Sequence, residues 1–155
     1  MIILTNLHQL TIWMQTVWMR FKRGIISVSY THLVAGASYL STVKEGTLPE
    51  NWEEKLSSFY AQGKITVVKT TKKSEKEVDI RPMIYALEPQ NGGIYMLVAA
   101  GSAENLKPEL VAGAFAKWLG ADKIHFSHHR LETYAKSPAD DKKLVPLDAL
   151  GTIRR

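Results

Sequence analysis

The chain predicts an α+β fold in which an antiparallel sheet carries two helices on one face. Three observations carry that expectation. Two segments place apolar residues at helical spacing, and several others are short, β-branched and bounded by Gly, Asn or Pro. The two kinds then follow one another as β-α-β-β-α-β. A chain of 155 residues can bury a single continuous core. With 45% apolar and 23% charged residues, disorder, collagen and coiled coil are not expected.

The elements read in order as follows. Ser38 to Lys44, with Tyr39, Leu40, Thr42 and Val43, is the first strand and ends at Gly46. Pro49 suits the first turn of a helix, and Glu50, Glu53 and Glu54 favour its N-terminal end. Trp52, Leu56, Phe59 and Tyr60 share one face of that helix, with Gly63 as the expected stop. Ile65 to Lys73 is the second strand, and Lys72 to Asp79 a charged stretch. Ile80-Arg81-Pro82 opens either a helical turn through Ile84, Tyr85 and Leu87 or a strand, and both readings stay open. Asn91-Gly92-Gly93 signals a turn. Ile94 to Ala100 is the most apolar strand, and Gly101 to Lys107 a loop. Pro108 opens a second helix bearing Leu110, Val111, Ala114, Phe115, Trp118 and Leu119, which stops at Gly120. Ile124 to Ala135 is the last strand, before a polar Lys136–Lys143 linker and a tail. Two crossover helices on one face of such a sheet describe the ferredoxin-like split βαβ arrangement. No internal repeat or low-complexity tract is visible.

Composition also removes chemistries. The chain has no cysteine, which excludes a disulfide framework, a Cys-ligated zinc or Fe–S centre held by this chain, and thiol catalysis. The net charge of +5 invites a nucleic-acid reading, but the excess is local. Residues 1–44 hold Arg20, Lys22, Arg23 and Lys44 and no acid. Over residues 45–155 the other basic groups meet all 15 acidic ones, so the body is nearly neutral. Only a local patch could bind nucleic acid.

Residues 1–33 differ from the rest. No apolar run there approaches the roughly 20 residues of a membrane span. Arg20, Lys22 and Arg23 follow the apolar stretch, where a secretory signal would have them precede it. Trp13, Val17 and Phe21 recur at helical spacing beside those basic residues, as on an amphipathic surface helix. The plainer reading is a foreign or artefactual leader. Val28-Ser29-Tyr30-Thr31-His32-Leu33 is what a common transposase-end sequencing adapter encodes in one frame, which leaves His32 no role. The domain is then expected over 34–150, with a tail at 151–155, in the cytoplasm.

Four groups could carry chemistry. Lys69, Lys72, Lys73 and Lys76 form a dense basic run able to present ammonium groups to phosphate. Glu75, Glu77 and Asp79 are interleaved with it, and the plainer reading is a solvated edge hairpin. Asp79 and Arg81 would point the same way on an extended segment, to bind each other or a polar ligand. Gly101 to Pro108 runs from a strand to a helix start, where backbone N–H groups with Ser102, Asn105 and Lys107 could hold an anion. The favoured reading is that Ser102 or Asn105 caps the helix. His125, His128 and His129 lack an acidic partner at metal-site spacing, so no metal site is expected. Ser and His residues form no nucleophile motif.

Four stretches together resemble the uncharacterised radical-SAM-linked protein family. They are Val78 to Ile84, Ala100 to Glu109, His129 to Tyr134 and Leu144 to Leu147. The similarity covers roughly Val34 to Leu150, the C-terminal half of such a protein. Its N-terminal half, with Ser-His-Leu-Asp and Gly-Phe-Asn-Pro type motifs, has no counterpart here. Members stand alone or form the C-terminal domain of cobalamin-binding radical SAM proteins. The resemblance brings no catalytic residues. It implies a radical SAM partner, which would supply S-adenosylmethionine, the Fe–S cluster and cobalamin. The expected function is a non-catalytic accessory domain that helps this partner bind substrate, RNA or tRNA, through Lys69, Lys72, Lys73 and the Gly101–Pro108 loop. Two alternatives stand beside it: a small enzyme using Asp79, Arg81 and Lys107, and a structural scaffold.

Overall fold

The computed structural model describes residues 33–150. The expected leader (Leu33 apart), the Trp13, Val17 and Phe21 spacing, and the 151–155 tail lie outside the described residues. The described chain is a mixed α+β structure. In order it forms β1 (Val34–Glu45), α1 (Trp52–Tyr60), β2 (Thr66–Thr70), β3 (Glu75–Asp79), β4 (Ile84–Gln90), β5 (Gly93–Ala99), α2 (Pro108–Trp118), β6 (His125–Lys136) and β7 (Leu144–Pro146). A single 3-10 turn at Arg81–Met83 leads into β4, and another at Leu147–Leu150 follows β7.

Five strands make a curled antiparallel sheet in the order β4-β5-β1-β6-β7, and β2 and β3 pair as a separate hairpin. The expected four-strand order needs correction, because seven strands are present among the described residues. The second expected strand, Ile65 to Lys73, shortens to β2 and does not join the sheet. Its partner is the adjacent charged stretch, closed by Thr71 N–H to the Ser74 carbonyl at 2.8 Å. A short local hairpin closes at less entropic cost than a distant pairing. The sheet position falls instead to β4, whose Ile84 and Leu87 are buried. The segment left open at Ile80 is therefore one 3-10 turn followed by a strand. The expected polar linker and tail also contain β7, which pairs with the end of β6.

Local chemistry explains the ends of the elements. Asn91 and Gly92 both have positive φ, 50° and 72°, the mirror-image turn that matches strand twist in a two-residue hairpin. Helix α2 stops at Gly120 (φ 71°), where Gly120 N–H bonds Lys117 O and Ala121 N–H bonds Ala116 O. That pair of bonds is the Schellman arrangement. Helix α1 ends at Tyr60, before Gly63, because other groups terminate it. Gln62 donates its backbone and side-chain N–H groups to Phe59 O, and Arg81 takes the next carbonyls.

Both helices cover the same sheet face. Leu56 and Phe59 of α1 and Val111 and Phe115 of α2 meet Ala37, Tyr39, Ile94, Met96 and Val98 in one core. Phe59 and Phe115 lie 5.4 Å apart between ring centres, tilted at 58°, a favourable edge-to-face geometry.

Candidate functional site

The hairpin sorts its charges by face. Its register places Lys69 opposite Lys76 and Val67 opposite Val78. Glu75 pairs with Thr70 and Glu77 with Val68, so these acids project from the other face. Lys72 and Lys73 occupy the exposed turn. The interleaving that obscured this patch in sequence thus resolves into a lysine face and an acidic face. Two ammonium groups placed directly opposite each other repel, and an anion between them relieves that repulsion.

Asp79 and Arg81 lie beside the base of the hairpin, where both bind backbone. Asp79 Oδ1 accepts Ile65 N–H at 2.9 Å and Arg81 N–H at 3.1 Å. These two bonds, the Ile65 bond first, hold its carboxyl below the ordinary aspartate range. Arg81 Nε donates to the carbonyls of Tyr60 at 3.0 Å and Gln62 at 3.1 Å, and Nη1 reaches Ile84 O at 3.4 Å. The guanidinium also stacks 4.0 Å above the Tyr60 ring. Arg81 is thereby a C-terminal cap for α1. The acid and the guanidinium make no hydrogen bond between their side chains, and Lys107 bonds neither among the described residues.

The Gly101–Lys107 loop folds differently from expectation. Leu106 N–H bonds Ala99 O at 2.8 Å and Gly101 N–H bonds Glu104 O at 2.7 Å, which closes it into a tight hairpin. The residue flanking α2 is Lys107, with no side-chain capping bond, and Pro108 takes the first turn. Ser102 and Asn105 are therefore not caps. They line a cleft of about 270 Å3 together with Arg130 and Thr133 of β6, over Ala37 and Ala100. Lys107 is exposed and does not line it.

Arg130 is a residue that pattern reasoning missed as a site residue. On an even strand, residues three apart such as Arg130 and Thr133 point to opposite faces. Here β6 carries a bulge, because Glu132 pairs with Ser38 while Arg130 pairs with the next residue, Tyr39. Leu131 is the extra residue, and Arg130 and Thr133 are brought to the helix-covered face. Arg130 donates from Nε at 3.1 Å and from Nη2 at 2.7 Å to the Tyr39 hydroxyl.

His128 shares that face, with Nδ1 at 2.8 Å from Ser41 Oγ. Burial pushes its imidazole below the ordinary range, against the opposing influence of Glu109. His129 pairs with Leu40 and so faces away from it. Among the described residues no group of three or more His, Asp or Glu side chains converges. No described helix is long and apolar enough to cross a membrane.

A family model described as an uncharacterised protein conserved in bacteria matches residues 20–108. The match takes in residues 20–33 and runs through β1, the hairpin, β4, β5 and the Gly101–Lys107 loop. No curated protein and no solved structure matches the chain.

Proposed function

The chain belongs to this family of uncharacterised bacterial proteins (DUF2344), and within it we propose a cytoplasmic, non-catalytic accessory domain that binds RNA for a radical SAM partner. The observation that carries the RNA reading is the hairpin register. It groups Lys69 and Lys76 on one face next to the Lys72–Lys73 turn and turns Glu75 and Glu77 away. Ammonium groups gathered on one face and the exposed turn of a hairpin are the footprint of phosphate-backbone contact.

The radical SAM association is supported by the four resembling stretches. The chain has no Cys to ligate a cluster, so its own residues do not fit that cofactor and the partner would hold it. Asp79 Oδ1 and Arg81 Nε and Nη1 already bond backbone groups, which favours the accessory reading over a small enzyme. We read the sub-order β4-β5-β1-β6, with one helix before β4 and one before β6, as a ferredoxin-like core carrying an inserted hairpin and an added edge strand.

The test is fluorescence anisotropy of the full chain with bulk tRNA across a salt series. Binding is expected to weaken steeply with salt. Lys72→Glu/Lys73→Glu should reduce the log–log salt slope by about 2 and weaken binding uniformly across RNA sequences. Binding that is insensitive to salt, or unchanged in that variant, overturns the reading.

A further inference from the structure

We propose that the cleft between the Gly101–Asn105 loop and β6 binds the phosphate group of a small molecule, with Arg130 as its principal contact. The lining is one-sided in charge. Among the described residues Arg130 is the one ionisable side chain lining it and no carboxylate does, while Ser102, Asn105 and Thr133 add neutral hydrogen-bond donors. Small residues, Ala37 and Ala100, form the apolar floor and leave the space open. The donors come from two chain segments, the loop after β5 and strand β6, and converge only in the folded sheet.

Arg130 is prepared for this role. Its Nε and Nη2 donate to the hydroxyl of Tyr39, a residue only 8% exposed, so the guanidinium is anchored to the core. A guanidinium has five N–H donors in a fixed fork, and two of them meet that hydroxyl. The others remain for an oxyanion, for which the planar fork is suited. The bulge at Leu131 is the second observation. It breaks the alternation of β6 where this brings Arg130 onto the face of Thr133, and bulges re-aim side chains in this way beside binding sites. The cleft, about 270 Å3, is below the usual range for drug-sized ligands, so the ligand is a small phosphate ester. The cleft shares no residue with the lysine hairpin, so the two proposals fail separately.

The test is an NMR titration of the 15N-labelled full chain with inorganic phosphate at constant ionic strength. Saturable amide shifts are expected at Gly101, Ser102, Asn105 and Thr133. Arg130→Gln should raise the dissociation constant by about tenfold or more. Because that change also removes a contact to Tyr39, Ser102→Ala/Asn105→Ala on the exposed loop provides a second arm. It should weaken phosphate binding while leaving the melting temperature unchanged. Non-saturating shifts, shifts centred on Lys69–Lys76, or a dissociation constant unchanged from the parent in both variants overturn the proposal. A short single-stranded RNA that saturates the cleft residues more tightly than phosphate overturns the small-molecule assignment.

Discussion

Gly93 and Gly113 show how differently this fold uses the same residue. A Cβ on Gly93 would lie 2.7 Å from the Ser41 carbonyl oxygen of β1, the strand paired beside the start of β5. Gly113 sits inside α2 with nothing within 4 Å of the corresponding position. Gly93→Ala is therefore expected to destabilise by about 1–3 kcal/mol through backbone displacement. Gly113→Ala should stabilise by about 0.5–1 kcal/mol through helix propensity. Urea unfolding midpoints of the two variants check both signs. His128 supplies a pH dependence. Its imidazole is held below the ordinary value of 6.5 by burial, so the fold favours the neutral form. The unfolded chain then binds the proton more readily, and this contribution to stability is complete above the ordinary value. It is lost as pH falls from there toward the lowered folded value. Thermal melts from about pH 7 to about pH 5 should show this loss in the parent and a flatter profile in His128→Gln.

The elements divide into those that announce themselves and those that exist only by pairing. Both helices, the Asn91-Gly92 turn and the stop at Gly120 are legible because each depends on residues a few positions apart. Strand β3 is not, since Glu75, Lys76 and Glu77 carry no apolar alternation and gain order only from β2. Strand β7 is only three residues long and rests on β6. The end of α1 at Tyr60 is not legible locally, because its cap, Arg81, arrives from a later segment. The hairpin itself is a two-stranded unit, and such units are marginal alone. Its base is tied by Ile80 N–H to Ile65 O at 2.8 Å and by Asp79 to Ile65 N–H, whereas its tip is exposed. Amide exchange should therefore be graded, with Val67 and Val78 slower than Thr70 and Glu75, and all of them faster than Met96 and Val98 in β5. Equal protection along the hairpin and β5 would show that the hairpin is not an independent unit.

At the scale of the whole molecule, the class was legible and the site only half so. The burial of one sheet face by two amphipathic helices follows from apolar spacing that a short window within each helix displays. Ser102 and Asn105 stood out for lying before a helix, yet their observed neighbours are Arg130 and Thr133. The face Arg130 presents is set by a bulge, and a bulge is a property of how β6 registers against β1. That register joins residues some ninety positions apart, such as Tyr39 and Arg130, and no local pattern encodes it.

The central position of β1 also sets an order of events during synthesis. Its partners are β5 on one side and β6 on the other, so Ala37 waits for Val98 and then for Thr133. At translation rates of about 5–20 residues per second, the first strand of the sheet spends several seconds without either neighbour. During that interval its Ala37 and Tyr39 face, which later belongs to the core, is open to other chains. The β4–β5 hairpin, in contrast, can form as soon as it emerges. Any chain that stops short of β6 leaves β1 with an unpaired edge, and that edge is where a truncated product would aggregate.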